Sequence, residues 1–158
     1  MKIKKNDLYG YGISIAIAEL TGLLAQLFSN MQSGFFSSLE KPPLSPPGWL
    51  FPVVWTLLYA LMGIAAYRVY NSKAENKAAA LVLYGLQLFV NFLWPIVFFR
   101  LQNIGAAIAV LILLLVLVVL TTVQFIKIDR LAGVLLLPYL LWLSFALYLN
   151  IGLYFLNM

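Results

Sequence analysis

Along this chain the polar residues are confined to short breaks between long apolar runs. Five runs of about twenty residues stand out, approximately Leu8 to Ser29, Trp49 to Tyr70, Ala78 to Phe99, Ile104 to Ile126 and Leu131 to Leu156. A helix rising about 1.5 Å per residue needs about that length to cross a hydrocarbon core about 30 Å thick. No barrel-type alternation is visible, and backbone groups that face lipid must be satisfied within their own segment. The pattern therefore predicts an all-α integral membrane protein, a five-helix bundle forming a single domain over residues 1–158.

The breaks Asn71 to Lys77, Arg100 to Asn103 and Lys127 to Arg130 are short enough to join antiparallel neighbours. The stretch 30–48 differs. It carries Lys41, Pro42, Pro43, Pro46 and Pro47, and each proline fixes its own φ and biases its predecessor toward extended backbone. A long, locally stiff loop in a compact bundle reads either as a lid over one end, with Pro42, Pro46 and Pro47 as its frame, or as a plain spacer.

Composition agrees with the pattern. Hydrophobic residues make up 64% of the chain and charged residues 9%, against about half and about a quarter in soluble domains, so the outer surface must face lipid. Cysteine and histidine are absent, which removes disulfides, thiolate nucleophiles, imidazole bases and the commonest zinc and haem-iron ligands, and no metal site is expected. The net charge of +5 comes from basic residues scattered at helix ends, a footprint unsuited to nucleic acid.

The same residues set an orientation. Lys2, Lys4, Lys5, Arg68, Lys73, Lys77, Lys127 and Arg130 fall on one side, and Lys41 and Arg100 on the other. Under the positive-inside rule the amino terminus is cytoplasmic and the proline loop is outside, the membrane being a bacterial plasma membrane. The basic start before an apolar run is reminiscent of a signal peptide, but the run is too long, Glu19 interrupts it, and no small-x-small site closes it.

Within the segments, helical spacing places Tyr84, Gln87, Asn91, Trp94 and Phe98 on one face, Trp55, Tyr59 and Met62 on another, and Trp142, Ala146 and Leu149 on a third. Aromatic stripes with a few polar handles can line an apolar pocket. Spacing alone favours reading them as packing seams, with Trp49 as an interfacial belt residue. Pro95 and Pro138 lie inside helical runs and predict local kinks beside Trp94 and Trp142. Glu19 is the one ionisable residue near the middle of a segment. It is a candidate for proton coupling, or else a neutral acid bonded to a neighbour such as Gln26 or Gln87.

Three blocks carry a resemblance. They are Lys41-Pro42-x-x-x-Pro46-Pro47-x-Trp49 running into Phe51-Pro52-x-x-Trp55-x-x-Leu58-Tyr59; Gln87-Leu88-x-x-Asn91-x-x-Trp94-x-x-x-Phe98-Phe99; and Leu137-Pro138-Tyr139-Leu140-x-Trp142-x-x-x-Ala146-x-x-Leu149-Asn150. With these in order on five helices, the sequence resembles the translocator proteins, also called tryptophan-rich sensory proteins, over nearly its whole length. The resemblance implies a five-helix bundle, a homodimer, and a pocket open toward the first loop that binds porphyrins and other flat hydrophobic ligands. It implies that Trp55 and Trp142 flank the ligand, that Asn91 supplies a polar contact, and that Trp94, Phe98, Ala146 and Leu149 shape the walls.

The sequence also departs from the family. Leu44 stands where many members have tryptophan, and Ala106 replaces an aromatic common in animal members, so fewer rings are available for stacking. Ile151 and Phe155 occupy the places of the animal cholesterol motif, and no basic residue follows Arg130, so cholesterol recognition of that kind is not expected.

The expected function is a membrane receptor or carrier for tetrapyrroles that requires no cofactor, with metal-free porphyrin as the ligand and the lipid bilayer as the other partner. Light-dependent porphyrin degradation is known of some relatives and is implied here by resemblance only. One alternative is a small proton-coupled exporter of hydrophobic cations that uses Glu19. Another is a passive scaffold with no transported ligand.

Overall fold

A computed structural model describes residues 5–31 and 33–158, with side chains from position 7 onward; Lys2 and Lys4 of the basic amino terminus, and Gln32 in the proline loop, lie outside the described residues. The elements in order are α1 (Lys5–Ser29), α2 (Phe35–Ser38), α3 (Leu50–Tyr70), α4 (Lys77–Pro95), α5 (Ile104–Ile128), α6 (Arg130–Val134) and α7 (Leu137–Leu156). No strand occurs among the described residues. Five spans are long and apolar enough to cross a membrane: Asp7–Ser29, Leu50–Tyr70, Lys77–Arg100, Ile104–Ile128 and Arg130–Leu156. Leucine, isoleucine and valine cover their outer faces, among them Ile13, Ile17, Leu57, Leu113 and Leu141, as a lipid solvent requires.

The two internal prolines act differently from simple kinks. Pro95 closes the regular part of α4, and a wider π-type turn, Ile96–Arg100, carries the chain on, with Leu101 N–H bonding the Ile96 carbonyl at 3.0 Å. That wider turn accommodates the missing donor of the proline and carries Phe98. At the last span the helix breaks at Leu135 and Leu136, which leaves Pro138 in the first turn of α7, where its absent N–H needs no partner.

Short breaks are capped by side chains. Asn103 accepts from Ala106 N–H at 2.9 Å at the start of α5, and Asp129 from Ala132 N–H at 3.0 Å at the start of α6. Asp129 also pairs with Arg68 Nη2 at 2.7 Å, which ties the end of α3 to the α5–α6 break on one side of the bundle. Burial alone raises the Asp129 carboxyl, but hydrogen bonds from Arg68 and from the backbone of Ala132 and Leu131 outweigh it and leave it below the usual carboxylate range.

Helix α1 lies closest to α3, along a column of small residues four apart: Gly10, Ser14, Ala18 and Gly22. Gly63 on α3 abuts the backbone of Ile15 so closely that a Cβ would collide, and Ser14 Oγ donates to the Gly63 carbonyl at 2.7 Å. The other close pairs include α4 with α5, α5 with α7 and α1 with α4, whereas α3 and α7 are not among them. What fills the space between α3 and α7 is side chains.

Candidate binding site

The spaced pair of α3 and α7 is joined through α4 by one buried polar chain. The Tyr59 hydroxyl donates to Asn91 Oδ1 at 2.6 Å, Asn91 Nδ2 donates to the Tyr139 hydroxyl at 2.7 Å, and that hydroxyl donates to Gln87 Oε1 at 3.0 Å. Gln87 Nε2 then reaches Met62 Sδ at 3.8 Å. All five residues are buried. Polar groups at this depth have no water to turn to, so their mutual bonds are what makes them tolerable. Both ends of the Asn91 side chain are engaged, its oxygen accepting from one tyrosine while its amide donates to another.

Aromatic rings surround this chain. Trp55 is half-buried and packs against Tyr59, with ring centroids 5.5 Å apart, and edge-on against Tyr139 at 6.1 Å. Trp142, also half-buried, meets Phe51 of α3 edge-on at 5.9 Å and Phe145 at 5.7 Å. Ala146, one turn along α7, is half-buried against the same core. Trp55 and Asn91 thus share Tyr59 and Tyr139 as neighbours, and Trp142 and Ala146 follow Tyr139 along α7 at steps of three and four. Among the described residues the buried Trp142 indole N–H has no hydrogen-bond partner, and neither has the Tyr84 hydroxyl.

Trp94 and Phe98 form a second group nearer the proline loop. Their rings stack at 5.4 Å, and Trp94 Nε1 donates to Asn150 Oδ1 at 3.2 Å. Asn150 Nδ2 in turn donates to the Ile104 carbonyl at 3.1 Å. Leu149 is buried beside Asn150 on α7. Phe98 packs with Phe35 and Phe36 of the loop helix α2, at 5.8 and 6.4 Å.

The loop itself is fastened to α7. Asn157 both accepts from Glu40 N–H and donates to the Glu40 carbonyl, each at 2.9 Å, and the Tyr148 hydroxyl donates to the Pro43 carbonyl at 3.0 Å. Pro42 is buried against Gly152, where a side chain would clash with its ring. Lys41 Nζ lies over the Phe36 ring, 5.0 Å from its centroid. Pro46 is half-buried and Pro47 exposed, so of the three framing prolines only Pro42 is deeply packed. Leu44 projects into the open, and Ala106 is exposed as well.

Glu19 sits half-buried on α1, within electrostatic range of Tyr59, and Gly22 a turn further on abuts the Tyr59 ring. Neither Gln26 nor Gln87 hydrogen-bonds it: Gln87 is committed to Tyr139 and Met62, and Gln26 is exposed. Sequence spacing passed over Tyr139 and Asn150 as site residues. Both are polar residues inside a membrane span, and that alone marks them.

Residues 14–156 match the TspO/MBR family. Over 149 residues the chain is 40% identical to "Protein CrtK" of Rhodobacter capsulatus, covering 93% of this chain and 90% of that one. It is 39% identical over 127 residues to "Tryptophan-rich protein TspO" of Chlorobaculum tepidum, covering 79% and 80%. It is 37% identical over 119 residues to the human "Translocator protein", covering 73% and 70%. With five membrane-spanning helices and a family match that takes in Glu19, the proline loop and every aromatic residue of the two groups above, the chain belongs to the TspO/MBR family of integral membrane proteins.

Proposed function

We propose that this protein is a membrane receptor or carrier that holds porphyrins and other flat hydrophobic molecules in the space between α3, α4 and α7, beneath the proline loop. One observation carries the reading: α3 and α7 are kept apart by the rings of Phe51, Trp55, Tyr139 and Trp142 rather than packed backbone to backbone. Rings that separate two helices can re-pack around a flat guest, whereas a backbone seam cannot. Trp55 and Trp142 are the flanking surfaces, and Trp94, Phe98, Ala146 and Leu149 complete the walls. Because Asn91 is committed to two tyrosines, its polar contact with a ligand is made through the Tyr59 or Tyr139 hydroxyl.

The test is a titration of the protein in detergent with metal-free porphyrin, read as quenching of its four tryptophans. The parent is quenched saturably, and Trp142→Phe weakens binding about tenfold, in line with loss of an indole anchor. A parent that is not quenched ends the reading, and unchanged affinity in the variant removes Trp142 from the site.

The amino terminus faces the cytoplasm of a bacterial cell in this reading. The Arg68–Asp129 pair supports it by bringing the end of α3 and the α5–α6 break together, so that Lys73, Lys127 and Arg130 share one side. Because the chain has no cysteine, single cysteines at Ser72 and Ser45 test it with an impermeant maleimide, and only Ser45→Cys is labelled from outside. A homodimer is proposed through α4, where Val82, Leu86 and Phe89 are exposed and nothing lies near Gly85.

A further inference from the structure

The gap between α3 and α7 is open on its lipid side as a groove of about 440 Å³, lined by Val54, Leu57, Leu61, Leu141, Trp142 and Phe145 among others. Leu57 and Leu141 stand exposed at its rim, while Leu58, also lining it, is buried next to Tyr59 of the polar chain. Trp142 belongs to both places, as a wall of the groove and as a packing partner of the core.

The depth of the groove decides what it accepts. Within the span Arg130–Leu156, Trp142 is 12 residues from one end (142 − 130) and 14 from the other (156 − 142), so it lies near mid-membrane. Glycerol ester oxygens sit at the edge of the hydrocarbon core, about 15 Å away, and an acyl chain offers no acceptor. The Trp142 N–H itself is buried and, among the described residues, unpartnered, so it meets an acceptor only when the indole re-packs around a guest. Of the two other half-buried indoles beside the core, Trp94 has its acceptor within the protein. A molecule that fits the groove and also satisfies Trp142 is flat, apolar and equipped with a hydrogen-bond acceptor that it can carry to mid-depth.

We propose that the α3–α7 groove is the lateral port through which a planar, acceptor-bearing heteroaromatic dissolved in the bilayer reaches the space between the helices, with Trp142 as its docking group. This rests on the receptor reading above and adds the route. On this route the proline loop need not open for the ligand to arrive. Access is along the membrane plane, and the phenylalanine-packed loop closes the end of the bundle.

The experiment uses the full chain in proteoliposomes, with free-base porphyrin delivered from protein-free vesicles and tryptophan quenching followed by stopped flow. Leu57→Phe/Leu141→Phe fills the groove from two lipid-exposed positions. It should slow both binding and release about tenfold while the equilibrium curve moves less than about twofold. Leu141→Ala widens the groove and should speed both. Ile13→Phe/Ile17→Phe, on the lipid face of α1, should change neither.

A filled groove that binds as fast as the parent overturns the port. So does a filled groove that abolishes equilibrium binding in a protein of native melting temperature, because the groove is then the site itself. A parent that is never quenched fails at the earlier step and takes the receptor reading with it, a signature distinct from either.

Discussion

Asn91 donates its side-chain N–H to the Tyr139 hydroxyl over 2.7 Å, linking α4 to α7 inside the bundle. Tyr139 has no exposed surface, and its hydroxyl also serves Gln87. Tyr139→Phe keeps the ring against Trp55 but strands the Asn91 amide and the Gln87 oxygen in apolar surroundings. Each stranded group costs about 1–3 kcal/mol, so the variant should melt well below the parent in detergent. Tyr59→Phe removes a single bond to Asn91 and should cost less. If Tyr139→Phe melts like the parent, the polar chain is not what joins the helices.

Release of the loop should change ligand residence more than stability. Tyr148 and Asn157 hold it to α7 through three hydrogen bonds at Pro43 and Glu40, all at exposed sites, where such bonds contribute little to the fold. Tyr148→Phe/Asn157→Ala is expected to raise hydrogen exchange over residues 33–48 and to leave the melting temperature within a few degrees. Under the lateral-port proposal porphyrin association is unaltered in this variant. A loop that acts as the gate predicts faster association instead.

Acid should loosen the end of the bundle that holds Arg68 and Asp129. The Asp129 carboxyl is held below its ordinary value by Arg68 and two backbone amides, so its contribution is fully present above the unfolded value of about 3.9. It is lost as pH falls through the lower folded value. The melting temperature should therefore be insensitive to this group near neutrality and decline in strongly acidic buffer. Asp129→Asn should melt lower at neutral pH and show a flatter acid decline. A variant whose acid profile overlays that of the parent would exclude Asp129 as the responsible group.

The spans were legible because the bilayer dictates them: a core of fixed thickness asks for runs of about twenty apolar residues, and the five runs end within a few residues of the observed helices. The break before α7 was less so. Pro138 suggested a kink in a continuous helix, yet the chain is cheaper with the break upstream, where the proline falls in a first turn. The stripe on α4 was readable from steps of three and four, and Gln87, Asn91, Trp94 and Phe98 do share a side. Their partners were not, because Tyr139 and Asn150 meet them only once α7 is packed against α5, across 48 to 56 residues of chain. The small-residue column from Gly10 to Gly22 lay open in the sequence at a spacing of four. It became meaningful only against Gly63 and Tyr59 on the facing helix.

Glu19 offers the clearest separation of a receptor from a proton-coupled exporter. It is half-buried in α1 and makes no hydrogen bond or ion pair among the described residues, so its charge is not tied into the fold. It does stand within electrostatic range of Tyr59, the first member of the polar chain, so protonation could reach the central space if transport were coupled to it. In a receptor that binds by ring stacking and burial, Glu19→Gln replaces a carboxyl group that the ligand never meets. Porphyrin affinity should then match the parent within about twofold at any pH where both are folded, since only a contact difference would alter the free energy of binding. An exporter needs the acid itself: cells expressing the parent would survive hydrophobic cations that kill cells expressing Glu19→Gln. Equal survival together with equal porphyrin affinity would leave the carboxylate outside the functional chemistry. A loss of resistance would move the mechanism from the tryptophans of α3 and α7 to the facing helix α1.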